Sequence, residues 1–321
     1  MVLEDIHLKR VNFMVTTTCN LHCRMCDVPE FNNRENNLTL EKIKEIIWQA
    51  AQAGAEILEI SGGEPMMRKD IYEIIAFAAS LKLKVMMVSN GVLIGPSEVQ
   101  KLLEAGVSLI PMSLEGPEEL NDKIRGKGNF KKTLSAIKSF LANSTKIPEL
   151  QVSVGITLSR HNYKIVRTFS KYLLEDVGVH CITINPFTGT MMSQENFKAR
   201  KDEFIIPEEL IPDLIFEMEQ LAQYSESRPG KLPSPRYIRR IPEYFDGNKI
   251  LPSGGCGMPL TFIGISPQGL VFPCWHGPVI GDLKKSVLSE ILASTARKEY
   301  VEKALSGDCP GCLSSCYSEI F

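Results

Sequence analysis

Along roughly the first 190 positions, apolar and polar residues alternate in units of about thirty residues, the length of a strand–helix pair. A short apolar run, Val11 to Val15, reads as a buried strand. Thr39 then stands where a helix N-cap belongs, ahead of Ile43, Ile46, Ile47 and Ala50 on one face and Gly54 at the end. Ile57 to Ile60 is the next strand, and Asp70 is placed to cap a helix with Ile71, Ile74, Ile75 and Ala78 inward. Val85–Val88 and Leu109–Leu114 are predicted strands flanking a helix from Ser97 to Ala105, stopped by Gly106. Phe130, Leu134, Ile137 and Leu141 mark a further helix, followed by a strand from Val152 to Leu158. Asn162 is placed to cap a helix carrying Ile165, Phe169 and Leu173, and Ile182 to Phe187 is the sixth strand.

Six such alternations predict right-handed βαβ units and a parallel sheet with its helices outside. Six units are too few for a closed eight-stranded barrel, so the expected fold is α/β, a partial (β/α)6 TIM-like barrel. In such sheets the chemistry gathers at the carboxyl ends of the strands. The pattern changes near Glu195. An amphipathic helix around 208–222 is followed by Ser225 to Pro235, rich in Pro, Ser and charge, which reads as a linker or long surface loop. Leu260 to Ile265 and Leu270 to Phe272, joined by Ser266-Pro267-Gln268-Gly269, predict a β-hairpin. Short helices near 287–293 and 297–305 complete the series. The expected division is a core over 1–195, a helix and linker over 196–250, and a small C-terminal hairpin/helix domain over 251–321.

Into this frame the chain sets Cys19, Cys23 and Cys26, a CxxxCxxC spacing directly after the first strand. Three thiolates from one loop can hold three corners of an iron–sulfur cube and leave one metal without a protein ligand. An open position is what a catalytic metal site needs. A structural zinc knuckle, with His22 or a distant cysteine as fourth ligand, is the other reading of the loop. The loops after the second, third and fourth strands carry Gly62-Gly63-Glu64-Pro65, Asn90 and Ser113-Leu114-Glu115, so every candidate falls at a strand's carboxyl end. Nine cysteines with no secretory signal point to metal or redox chemistry and away from a disulfide framework. Cys181, in an apolar run, reads as a buried strand thiol. The 36 basic against 38 acidic residues give no global case for nucleic acid or an anionic membrane. Without a membrane-length apolar segment, a cytoplasmic protein is expected.

The cysteine spacing, followed one βα unit later by Gly-Gly-Glu-Pro, resembles the radical S-adenosylmethionine (radical SAM) superfamily over residues 11 to about 190. The resemblance implies a [4Fe–4S] cluster on Cys19, Cys23 and Cys26, with SAM chelating the open iron. It implies that Gly62, Gly63, Glu64 and Pro65 receive the SAM amino group, and that Asn90, Ser113 and Glu115 border its ribose and methionine. Two positions depart from the family's habit: Met25 stands where an aromatic residue often precedes the third cysteine, and Glu115 where Asp is common.

Cys256, twelve residues, Gly269, four residues and Cys274 resemble the opening of a SPASM or twitch domain, in which a hairpin carries ligands of an auxiliary cluster. Cys309, Cys312 and Cys316 follow. Five cysteines fall short of the seven of a two-cluster SPASM domain, so one auxiliary [4Fe–4S] cluster is expected, on Cys256, Cys274, Cys309 and Cys312, with Cys316 the surplus thiol. The pair Cys312 and Cys316 is the alternative, and a zinc ribbon the other reading of the whole set. Trp275 and His276 stand just after Cys274.

The resemblance implies an enzyme that reductively cleaves SAM to a 5′-deoxyadenosyl radical and abstracts a hydrogen atom from substrate. The auxiliary cluster would accept or relay an electron, as in dehydrogenation of a small molecule or crosslinking of a peptide. An external one-electron reductant of the flavodoxin or ferredoxin type is implied too. Only about ten residues precede the first strand, so the expectation leans to a small molecule. The competing class is a non-catalytic iron–sulfur or zinc scaffold or electron carrier; within the family, a radical methyltransferase is the further alternative.

Overall fold

Six strands pair in parallel, each with its neighbour in the chain: β1 (Arg10–Thr16), β2 (Ile57–Gly62), β3 (Lys84–Met87), β4 (Val107–Ser113), β5 (Gln151–Leu158) and β6 (Cys181–Pro186). The structure is a computed structural model and describes residues 7–28, 37–188, 203–247, 250, 255–309 and 311–313. Helices α1 (Leu40–Gln52), α2 (Ile71–Ser80), α3 (Pro96–Ala105), α4 (Glu118–Arg125), α5 (Asn129–Ser144) and α6 (Val166–Lys171) connect them. The alternation of side chains explains the layering. Val11, Phe13 and Val15 of β1, with Leu58 and Ile60 of β2, join Ile43, Ile46 and Ile47 of α1 and Ile71, Ile74 and Ile75 of α2 in one core. Each such burial is worth about 1.5–3 kcal/mol, which fixes the strand register. This is the partial barrel that the alternation predicts.

The C-terminal hairpin is part of the same sheet. β7 (Phe262–Ile265) pairs in parallel with β1, Arg10 opposite Phe262 and Phe13 opposite Ile265. β8 (Leu270–Phe272) and β9 (Gly281–Asp282) add antiparallel strands beyond it. Among the described residues the order is β6-β5-β4-β3-β2-β1-β7-β8-β9. The strand that leads into the cysteine loop is therefore interior to the sheet, with the hairpin at its side.

Further α-helices among the described residues are α7 (Ile211–Glu226), α8 (Pro235–Arg239), α9 (Ile241–Phe245), α10 (Met258–Thr261), α11 (Leu288–Ala293) and α12 (Thr295–Leu305). The stretch read as a linker or long surface loop, and the helix after it, lie along the edge strand. Ile182 N of β6 donates to Lys231 O (2.9 Å), and Tyr237 Oη donates to Ile184 O (2.8 Å). Backbone groups of an otherwise open edge are covered in this way.

Three local expectations are corrected. Thr39 caps α1, accepting from Lys42 N, whereas Asp70 occupies the N-cap position of α2 without a side-chain cap bond. Its carboxylate instead takes both Nε and Nη2 of Arg68 (2.8 and 2.6 Å). Asn162 does not cap a helix: its amide donates to Glu115 O and Thr157 O, both 2.9 Å, tying the ends of β4 and β5 together. α4 has no counterpart in the sequence reading, because only Asn121 and Ile124 of its eight residues are buried and no apolar stripe marks it. Cys181 begins β6 as expected but is only half-buried.

Candidate active site

The chain leaving β1 and the loop leaving β2 are packed backbone to backbone. Gly63 N donates to Thr16 O and Glu64 N to Thr18 O, each at 2.8 Å. A Cβ on Gly62 or Gly63 would run into the carbonyls of Thr16 and Thr18, and Gly62 holds φ at +130°. Glycine is needed here by the fold itself, before any ligand is considered. Pro65, buried, opens a single turn, Pro65–Met67, with Glu64 at its cap.

Glu64 is fully buried and serves as the pin of the site. Oε1 accepts from Met66 N (3.1 Å) and Ser89 Oγ (2.9 Å), and Oε2 accepts from Asn90 N (2.8 Å). Burial pushes its carboxyl above the ordinary range, against the pull of those three hydrogen bonds. Asn90 passes the connection on. Its Nδ2 donates to Asn20 Oδ1 (2.8 Å) and lies 3.8 Å from Cys19 Sγ, while its carbonyl accepts from Thr133 Oγ1 (2.7 Å). One hydrogen-bonded chain thus runs from the Gly-Gly-Glu-Pro loop through the end of β3 to the first cysteine.

The three thiols share one loop, Cys23 buried and Cys19 and Cys26 half-buried, with Cys23 in electrostatic range of both others. Burial pushes all three thiols up, Cys26 to about 11. Metal binding would displace their protons. Arg125, at the end of α4, directs Nη1 to 3.9 Å from Cys23 Sγ. Its Nε donates to Glu115 Oε1 (2.9 Å), its Nη2 to the same oxygen, and Glu115 Oε2 accepts from Thr157 N (2.7 Å). Burial alone would favour neutral Arg125; Glu115 and the Cys23 sulfur more than offset it and hold the guanidinium charged. Ser113 closes β4, half-buried, its N donating to Ser89 O (3.3 Å). Met25 packs with Ile124, Phe187 and Phe204, an apolar wall beside the third cysteine. His22 is exposed on the outside of the loop.

A second group of thiols forms beside the hairpin. Cys256 lies in electrostatic range of Cys274 and Cys309, and Tyr300 Oη is 3.1 Å from Cys274 Sγ. Cys312 neighbours Tyr244, whose phenol burial and that thiol push up to about 12. Cys316 lies outside the described residues. Trp275 lies 5.6 Å from Phe272, the two rings tilted by 37°, and covers Gly264 of β7; half-buried His276 is held below its ordinary pKa by burial. The structure therefore gathers Cys256, Cys274 and Cys309, with Cys312 against Tyr244.

Among the described residues, no three His, Cys, Asp or Glu side chains converge as a single metal ion requires. Three thiols from one loop can hold three corners of a cube and leave one corner open. The donor set of the first loop fits a [4Fe–4S] cluster with a site for SAM.

Sequence reasoning did not find Arg125 or Tyr300. Arg125 reads as a surface basic residue in a helix's last turn, and only the fold shows Glu115 opposite it. Tyr300 flanks the buried positions Arg297, Val301 and Ala304, a helical spacing that could have drawn notice.

The radical SAM superfamily pattern matches residues 13–173, and that of SPASM, an iron–sulfur cluster-binding domain, matches residues 256–316. An AdoMet-dependent heme synthase from Methanosarcina barkeri is 28% identical over 315 residues, 93% of this chain and 86% of its own length. A PqqA peptide cyclase from Bradyrhizobium diazoefficiens is 26% identical over 266 residues, 81% of this chain and 64% of its own. Several other curated relatives are matched over less than half of their own length. The fold is shared with Streptococcus suis SuiB bound to the precursor peptide SuiA: TM-score 0.70, 17% identity, 92% of this chain and 67% of that one. The chain is a member of the radical SAM superfamily with a C-terminal SPASM iron–sulfur domain.

Proposed function

We propose that Cys19, Cys23 and Cys26 hold the SAM-binding [4Fe–4S] cluster and that the enzyme oxidises a small-molecule substrate. The observation that supports the cluster site is the chain Glu64–Asn90–Cys19, which locks the cysteine loop to the strand ends around it. Bound there, cluster and SAM supply one-electron cleavage of the C5′–S bond to methionine and a 5′-deoxyadenosyl radical, which takes a hydrogen atom from substrate. The protein's part is placement. The backbone of Gly62, Gly63 and Glu64 offers carbonyls to an ammonium. Asn90, Ser113 and the Glu115–Arg125 pair border the rest of the cofactor, Arg125 being the cation for its carboxylate.

Cys256, Cys274 and Cys309 are in this reading ligands of an auxiliary cluster, with Cys312 or Cys316 completing the set. A cluster held by these residues would supply a one-electron acceptor for oxidation of the substrate. A reduced flavodoxin- or ferredoxin-type carrier supplies the electron that starts the cycle. The relative aligned over most of both chains is named a heme synthase, which makes an iron porphyrin the first substrate class to screen and a peptide the second.

The test is anaerobic. The protein is reconstituted with iron and sulfide, given SAM and dithionite, and assayed for 5′-deoxyadenosine beside a Cys19/Cys23/Cys26→Ala variant. Wild type should form it, and the variant should form none while losing about four irons, one cube. Iron-loaded wild type that never cleaves SAM, or a preference for zinc, would overturn the reading.

A further inference from the structure

α12 brings a phenol to the auxiliary thiols. Tyr300 Oη stands 3.1 Å from Cys274 Sγ, and Cys256 and Cys309 lie in its electrostatic surroundings. The approach is fixed from two sides. Ser294 caps α12, accepting from Arg297 N (3.3 Å), and buried Arg297 fastens the helix by donating to the carbonyls of Leu292 (3.2 Å), Pro259 (3.3 Å) and Leu260 (3.2 Å). With Val301 and Ala304 also buried, the rotation of the helix is set and Tyr300 faces the sulfur. On the other side, Gly277 N donates to Cys274 O (3.0 Å), closing a turn over the ring. A Cβ at Gly277 would lie 2.9 Å from Tyr300 Cζ and 3.1 Å from Oη, so the turn is shaped around the phenol.

A cysteine that ligates a metal is a thiolate and has no proton to offer. A tyrosine phenol, whose ordinary pKa is about 10, keeps its proton at neutral pH. Tyr300 is then the donor and Cys274 Sγ the acceptor. Hydrogen bonds to cluster sulfurs are among the factors that set a cluster's potential, because they favour the more negative, reduced state.

We propose that Tyr300 is a positioning residue that raises the reduction potential of the auxiliary cluster through its hydrogen bond to Cys274. This rests on the reading of Cys256, Cys274 and Cys309 as cluster ligands. A raised potential makes that cluster a better acceptor for the electron leaving a substrate radical, and so favours an oxidised product over a redox-neutral one.

The experiment uses the reconstituted full chain carrying Cys19, Cys23 and Cys26→Ala, so that only the auxiliary cluster is titrated. Iron content and an EPR-monitored potential are measured with Tyr300 intact, with Tyr300→Phe, and with fluorotyrosine at 300, a stronger donor of nearly the same size. With Tyr300→Phe, full iron is expected, together with about a tenfold lower ratio of reduced to oxidised cluster at a fixed potential, ~59 mV for one electron. Fluorotyrosine should shift it the opposite way. Full iron with an unchanged potential in Tyr300→Phe overturns the proposal. If Tyr300→Phe loses its iron, the fluorotyrosine protein decides: an upward shift supports the role and no shift removes it. If the background with Tyr300 intact holds no cluster at all, the auxiliary-ligand reading fails.

Discussion

The two thiol sites of this chain are built in opposite ways. The first takes three cysteines from a single stretch, Cys19 to Cys26, and surrounds them with charge: Arg125 beside Cys23, and Glu64 behind Asn90. The second gathers Cys256, Cys274 and Cys309 from three distant stretches and sets a neutral phenol against one of them. A site from one loop has its spacing written locally, and its weakness lies in the buried polar groups that hold the loop. A site from three stretches depends on the helix and hairpin that bring its parts together. The contrast therefore predicts which substitutions damage one site and spare the other.

The largest effect should come from Arg125→Met. It leaves Glu115, 2% exposed, with Thr157 N but without its cation. Stripping one partner from a buried pair costs about 3–5 kcal/mol. Denaturant unfolding should show that loss, and 5′-deoxyadenosine formation should collapse. The iron that survives in a Cys19/Cys23/Cys26→Ala background should be unchanged by adding Arg125→Met. Equal loss of iron from both sites would break the comparison.

Next is Glu64→Ala, which takes the acceptor from Met66 N, Ser89 Oγ and Asn90 N at once. An abandoned buried donor costs about 1–3 kcal/mol, but the Ser89 hydroxyl can turn elsewhere and a costly buried carboxylate is also removed. A net loss of about 2 kcal/mol is expected. SAM cleavage should fall far more than stability does, because Asn90 is released from the cysteine loop. Unimpaired SAM cleavage in a folded variant would show that Glu64 is not the pin.

This contrast also explains what was legible beforehand. The βα alternation and the CxxxCxxC loop are short-range patterns, and the strands, their order and the meeting of Gly62–Pro65 with Cys19 follow from them. The hairpin was readable from the Ser-Pro-Gln-Gly turn, but its parallel pairing with β1 was not, because the partners Arg10 and Phe262 are 252 positions apart. Arg125 and Tyr300 were hidden for the same reason: each is an ordinary helix residue until the fold sets Glu115 or Cys274 before it. Asp70 and Asn162 were misread because helix-starting residues also make good side-chain ties: Asp70 takes the guanidinium of nearby Arg68, and Asn162 the carbonyls of Glu115 and Thr157.

The smallest effect tests the support behind the first site. Arg68 Nη1 donates to Val15 O (2.9 Å) and Leu38 O (3.2 Å), bracing the end of β1, while Asp70 grips the rest of the guanidinium. The hydrogen bonds from Arg68 hold the Asp70 carboxyl below its ordinary range. A depressed carboxyl contributes stability that is present above the unfolded value, about 3.9, and is lost as pH falls through the folded one. Asp70→Asn should therefore cost stability at pH 7, under about 1 kcal/mol because the pair is partly exposed. The gap between wild type and variant should close below about pH 4, and salt should narrow it at neutral pH. Arg68 keeps its two carbonyls in the variant, so the cysteine loop should stay in place and SAM cleavage at pH 7 should be nearly unchanged. A large loss of cleavage would mean that the brace itself, and not only the charge on Asp70, had been broken.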